Sequence, residues 1–280
     1  DGNNSFINWK SNQIQSITSQ SGGSLYVPNQ DLTNVNRIFS SRLSYNKGSM
    51  VVHMLRHLLG DTHFYQGLKN YLSDPNLAFA YANTTQLQQH LEAVHGTSLQ
   101  YFFDDWVYGE GYPTYNIQSS YNENGSITFN VQQSQSNSSV SYFELPIPIR
   151  VVGNNGEIEN FVLNNISNNQ NFTFPINFTP IHLLFDPEKN LISKNSTISL
   201  SNSFFQNEAI KIYPNPTNNY IKIEGINPNK IINIRIFNNL CQVLSKNNSL
   251  TQDLSNYPTG YYFITIETKD GTKTFEVIKN

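Results

Sequence analysis

From Lys47 to Leu59 the apolar residues Met50, Val51, Met54, Leu55, Leu58 and Leu59 recur at three- and four-residue spacing, the stripe of an amphipathic helix. Gly60 stops that helix, and Asp61 stands where it can cap a second one carrying Phe64, Leu68, Tyr71 and Leu72. Asp74-Pro75 ends the second, because proline steers the residue before it away from helical geometry. Thr85 followed by Gln88 has the spacing of a capping box for a third helix whose buried side is Leu87, Leu91 and Val94. Gly96 then occupies the position of a left-handed C-cap. Ser98 opens a short fourth helix that runs through Trp106. Short helices with short connections predict a compact helical bundle.

After Pro113 the period changes from helical to alternating. Ile127 to Val131 and Leu145 to Val151 place apolar side chains on every second residue, as strands with one buried face do. Pro146 and Pro148 fall on outward positions of the second run and each removes a ladder donor, which predicts a sheet edge or a bulge there. Asn154-Asn155-Gly156 has hairpin-turn chemistry, and Phe161-Val162-Leu163, Phe172-Thr173-Phe174 and Ile181 to Phe185 continue the strands. Residues 113–187 therefore read as a β-sandwich, and residues 188–207, rich in Asn, Ser and Lys, as a linker. From Glu208 a second alternating region begins with Ile210 to Tyr213 and ends with Phe275 to Lys279. Seven short runs in it predict a small immunoglobulin-like sandwich over 208–280. The fold class is thus α+β and multidomain, with residues 1–112 helical.

Composition changes this picture little. The formal net charge is −3 with lysine and arginine scattered, so nothing points to nucleic acid or an anionic membrane as a partner. One cysteine in 280 residues excludes an intramolecular disulfide framework. No apolar run reaches the roughly twenty residues that span a bilayer. Sixteen tyrosines and eighteen phenylalanines suit sheet packing. Asp104 and Asp105 are adjacent, so they diverge on a helix and make a poor acid/base pair.

Two sets of residues carry chemistry by resemblance. Tyr45-Asn46-Lys47-Gly48, followed by Leu55, Leu58-Leu59-Gly60-Asp61, Phe64, Phe102-Phe103-Asp104-Asp105-Trp106 and Gly111-Tyr112-Pro113, resembles the second half of the thermolysin-like catalytic domain of aminopeptidase N and leukotriene A hydrolase-like zinc metallopeptidases. Read from the residues alone, a tyrosine at a helix entrance is a packed aromatic with a bonded hydroxyl. The resemblance instead implies that Tyr45 donates its hydroxyl proton to the oxyanion of the tetrahedral intermediate. A phenol suits that task because a pKa near ~10 keeps it a donor at neutral pH. The resemblance also implies peptide substrates cut at the amino terminus and places a small β domain directly after the helices.

The zinc-binding His-Glu-x-x-His and the Gly-x-Met-Glu-Asn segment of that family are absent from these residues. His53 and His57 have the i, i+4 spacing that can present two imidazoles to one metal, but Met54 stands where the general base belongs, and no third ligand is suitably spaced around them. His90, Glu92 and His95 form no closed set either. The expectation is that zinc belongs to the intact parent enzyme, with its ligands outside this sequence. Together with an opening at Asp1-Gly2-Asn3-Asn4 without initiator methionine or signal peptide, this leads to the expectation of a C-terminal portion that is inactive alone. The alternative is a non-catalytic binding or adhesion protein on a degenerate peptidase scaffold.

The second set is Tyr213-Pro214-Asn215-Pro216, Gly260-x-Tyr262-x-x-x-Ile266 and a lysine near the extreme end. These resemble the C-terminal sorting domain of the type IX secretion system over about 208 to 280, with Cys241 where that family usually has glycine. The resemblance implies that the outer-membrane secretion machinery is a partner. It also implies a location outside, or on the outer surface of, a Gram-negative bacterium.

Overall fold

The computed structural model describes residues 2–122, 125–201, 210–268 and 271–280. It is an α+β chain in which a helical region is followed by several β-sheets. The helices are α1 (Asn3–Ile17), α2 (Val35–Ile38), α3 (Gly48–Ser73), α4 (Thr84–His95) and α5 (Gln100–Phe103), with π-helical turns at Ser41–Lys47 and Asp104–Tyr108. Helix α1 was not foreseen, because its stripe is broken by a charge: Ile7, Lys10 and Ile17 are all buried, and the lysine disguises the period.

Three local expectations are corrected. Helix α3 does bend at Gly60 (φ 71°, ψ 161°), but Asp61 does not cap the helical turns beyond the bend, since its carboxylate takes the Arg56 guanidinium at 2.7 and 2.9 Å. The capping box of α4 lies two residues earlier than Thr85 and Gln88: Asn83 accepts from the Gln86 N–H while Gln86 accepts from the Asn83 N–H. Gln88 is instead buried and bridges Glu92 and Gln100. Leu72 is exposed, whereas Gly67 is buried and gives α4 room, since a Cβ there would stand 2.8 Å from the Leu91 side chain. Gly96 (φ 83°) closes α4 as a left-handed cap.

The first sandwich pairs a sheet of β5 (Gln170–Pro175), β2 (Ser126–Gln135), β1 (Pro113–Asn122) and β7 (Thr197–Ser201) with a sheet of β4 (Ile158–Asn165), β3 (Leu145–Gly153) and β6 (Pro180–Phe185), each in that order. Strand β7 runs parallel to β1 within the segment expected to be a linker, and Leu191 and Ile192 of that segment are buried in the core. Their apolar side chains outweigh the polar average of the stretch, and 202–207 lie outside the described residues. The proline-bearing β3 is central rather than an edge. Its register with β6 spans only Ile149 to Gly153, so Pro146 and Pro148 stand where that side has no ladder to complete. Their carbonyls are used instead, by His57 Nε2 at 3.3 Å and the Asp186 N–H at 2.9 Å.

One apolar core runs through helices and sandwich. It includes Met50, Met54, Leu91, Phe102, Trp106, Phe129, Ile147 and Leu163, and Trp106 meets Phe143 with ring centroids 4.6 Å apart. The C-terminal unit has its own core of Ile221, Ile223, Ile234, Ile264 and Val277. It lies between a sheet of β11 (Val243–Asn247), β10 (Ile231–Asn238), β13 (Gly260–Thr268) and β14 (Gly271–Lys279) and a sheet of β12 (Thr251–Asp253), β9 (Tyr220–Glu224) and β8 (Lys211–Tyr213). The expected start at Glu208 lies outside the described residues.

Candidate active-site tyrosine and its frame

The segment before α3 is held by cations donating to backbone carbonyls. Arg37 reaches the carbonyls of Ser24 and Tyr26, both at 2.8 Å, and Arg42 those of Ile17 and Gly22 at 3.1 and 2.9 Å. Lys47 is 1 % exposed and donates to the carbonyls of Gly23 and Gly109, both at 3.1 Å. Burial depresses its ammonium to a pKa of about 8. Glu110 completes the frame by accepting from the Gly23 N–H at 2.8 Å. A Cβ at Gly109 would stand 2.5 Å from the Asp105 carbonyl oxygen, so this close approach requires glycine. The Tyr112 hydroxyl, buried, donates to the Thr18 carbonyl at 3.1 Å.

Tyr45 stands within the π-helical turn Ser41–Lys47, not before the first turn of a helix. Ser40 caps that turn: its hydroxyl accepts from the Leu43 N–H, and its carbonyl accepts from the N–H of Ser44 at 2.9 Å and Tyr45 at 3.3 Å. On one side of Tyr45 the backbone is fixed by this cap; on the other, Asn46 donates to Ser16 at 2.8 Å and Lys47 is buried. Tyr45 itself is 56 % exposed. The packed-aromatic reading of Tyr45 therefore does not hold. The remaining residues of the motif secure the backbone, and the phenol alone is turned outward.

An apolar cavity of about 390 Å³ opens nearby, lined by Tyr26, Val51, Val52, Leu55 and Phe103 among others. Tyr45 is not part of its wall.

His53 and His57 are drawn into packing between the helices and the sandwich. His53 Nε2 lies 2.9 Å from Asn190 Oδ1 and 3.3 Å from Lys10 Nζ, and burial lowers its pKa. An ammonium beside the imidazole opposes a cation. Among the described residues no group of three or more His, Cys, Asp or Glu side chains is placed to hold a metal, and the Lys10 ammonium beside His53 makes the histidine pair a poor zinc site. Arg37, Arg42 and Glu110 were not foreseen. The burial of Lys47 could have been, because it lies three and four residues before Met50 and Val51 on the same stripe.

At the other end of the chain the Tyr213-Pro214-Asn215-Pro216 turn closes the edge of β14. Asn215 Nδ2 donates to the Glu276 carbonyl at 2.8 Å and its Oδ1 accepts from the Ile278 N–H at 2.9 Å. Thr217 continues the pairing through Ile278 and Asn280 at 2.8 and 2.9 Å. An amide side chain thus supplies the donor and acceptor that a further strand would offer to an open edge. Cys241 adopts φ 62°, the left-handed region that favours glycine.

Comparison with known proteins agrees with both ends. Residues 4–106 match the peptidase family M1 domain, and residues 211–280 match the secretion system C-terminal sorting domain. Aminopeptidase N of Lactococcus lactis subsp. lactis is 38% identical over 81 residues, covering 28% of this chain and 9% of that protein. Tricorn protease-interacting factor F2 of Thermoplasma volcanium is 24% identical over 153 residues, 51% of this chain and 19% of its own length. The chain thus spans a minor share of the curated relatives it matches. The crystal structure of Legionella pneumophila aminopeptidase A in complex with aspartic acid superposes with a TM-score of 0.50 at 12% identity, over 67% of this chain and 21% of that one, a likeness of fold.

Proposed function

Because residues 4–106 belong to a peptidase family M1 domain and residues 211–280 to a type IX secretion C-terminal sorting domain, we propose that the chain carries the oxyanion-binding side of an exported aminopeptidase. Tyr45 is its hydrogen-bond donor. Supporting this is the contrast within one short motif: Asn46 and Lys47 are consumed by packing while Tyr45 is 56 % exposed. The M1 aminopeptidase family is generally zinc-dependent. The metal and general base would come from M1 sequence outside these residues; what this chain supplies is a capped turn and a hydrogen-bond donor. As the carbonyl oxygen of a peptide gains charge, a hydrogen-bond donor carried on a capped backbone turn stabilises it. The substrate class is a peptide with a free amino terminus. The sorting domain would hand the folded protein to the outer-membrane machinery and leave it secreted or on the outer surface.

The test is Tyr45→Phe in the zinc-loaded M1 enzyme that contains this segment. Turnover is expected to fall by about a hundredfold or more with KM within about twofold. A variant keeping more than about half the parent rate removes Tyr45 from the chemistry.

A further inference from the structure

Strands of a sandwich that face water on one side alternate buried and exposed residues. Strands on either side of the junction between the two sandwiches do not. In β6, Leu183 faces the first core, and Leu184, on the opposite side of the strand, is buried too. In β10, Ile234 and Ile236 face the second core, while Arg235 and Phe237, on the opposite side, are 8% and 1% exposed. Each of these strands is covered on both faces.

The outward residues meet in one cluster. Val152, Ile181 and Leu184 of the first sandwich pack with Phe237, Cys241 and Phe263 of the second. The His182 ring lies over Phe263 with centroids 4.2 Å apart. Two polar contacts fix the orientation: Thr274 donates to the Ile181 carbonyl at 2.9 Å, and Arg235, held by Glu267 at 2.9 Å, donates to the Asn154 carbonyl. Cys241 pays a left-handed backbone and gains a thiol that is buried here.

We infer that the sorting domain is docked on the chain's own first sandwich through the outer face of its four-stranded sheet, so that this face is withdrawn from any recognition partner while the chain is folded. A tethered but independent domain would leave Phe237 and Phe263 in water, and an apolar patch of that kind on a free sheet invites association. The dock makes the two sandwiches one body.

Cys241 is the sole cysteine, which makes its thiol a reporter of the dock. Alkylation of the native full chain by iodoacetamide, compared with the same chain in guanidinium at one pH, is expected to be at least about a hundredfold slower. Leu184→Asp, at an outward position of β6, is expected to raise the native rate at least about tenfold while circular dichroism stays unchanged. Phe263→Ser tests the same contact from the other side and serves if Leu184→Asp fails to fold. A native thiol that reacts within a few-fold of the unfolded chain overturns the inference. So do folded variants whose thiol stays as protected as in the parent.

Discussion

Two lysines show how residue and environment trade places in this chain. Lys10 and Lys47 stand on the apolar stripes of their helices and are 2% and 1% exposed, each with its ammonium on oxygen acceptors. A reading that sorts residues into apolar and polar loses α1 at Lys10 and misses the anchor at Lys47. Both become legible once a long stem with a terminal donor is allowed on a buried face. Lys47→Met keeps the stem and removes the donor, leaving the Gly23 and Gly109 carbonyls without it. We expect a loss of about 2–3 kcal/mol, read from the midpoint of urea unfolding. Tyr45→Phe should shift that midpoint by less than about 0.5 kcal/mol, because an exposed hydroxyl leaves nothing unpaired when it goes. The outward aim of Tyr45 was not readable from sequence alone, since it depends on a cap at Ser40 and on partners in α1.

At the scale of elements, local chemistry named the right motifs and sometimes the wrong copy. Asn83 and Thr85 are each followed by Gln three residues later, so spacing alone cannot choose between them; the tertiary partners of Gln88 do. Asn83→Ala is expected to cost about 1 kcal/mol of stability and Thr85→Ala close to nothing, measured by thermal unfolding. The prolines of β3 do lack ladder donors, but the edge they imply is local to one end of one side of the strand. The turn after α5 makes a pH prediction. Burial, with Glu144 and Asp104 nearby, raises the Asp105 carboxyl to about 6. A carboxyl whose folded pKa lies above its unfolded one favours the fold while protonated, and that contribution is lost as pH rises through about 6. Asp105→Asn should therefore match the parent near pH 4 and exceed it above pH 7 by roughly 1–2 kcal/mol.

For the whole molecule, the boundary near Pro113 separates periodicities without separating cores, because Trp106 and Phe143 pack across it. No pattern within either half could announce that sharing. The junction between sandwiches was nearer to view: Ile181-His182-Leu183-Leu184-Phe185 is apolar on both strand faces apart from the histidine. Burial lowers that imidazole to about 3. Its neutral form is favoured in the fold, so stability is intact above pH 6.5 and declines as acid protonates the unfolded chain first. Between pH 7 and pH 5 the loss from this group is at most about 2 kcal/mol, and His182→Phe should flatten that part of the stability profile in urea titrations at each pH.

The Asn215 staple has a chemical consequence as well. Asparagine ages by attack of the following backbone nitrogen on its side-chain amide, a ring closure that requires that nitrogen to give up a hydrogen. Pro216 has none to give. The amide whose donor and acceptor close the last strand is thereby shielded from deamidation, whereas Asn155, followed by Gly156 in an exposed turn, is not. Over the lifetime of the protein, the hairpin at Asn155 can change its charge while the C-terminal clasp keeps its original chemistry.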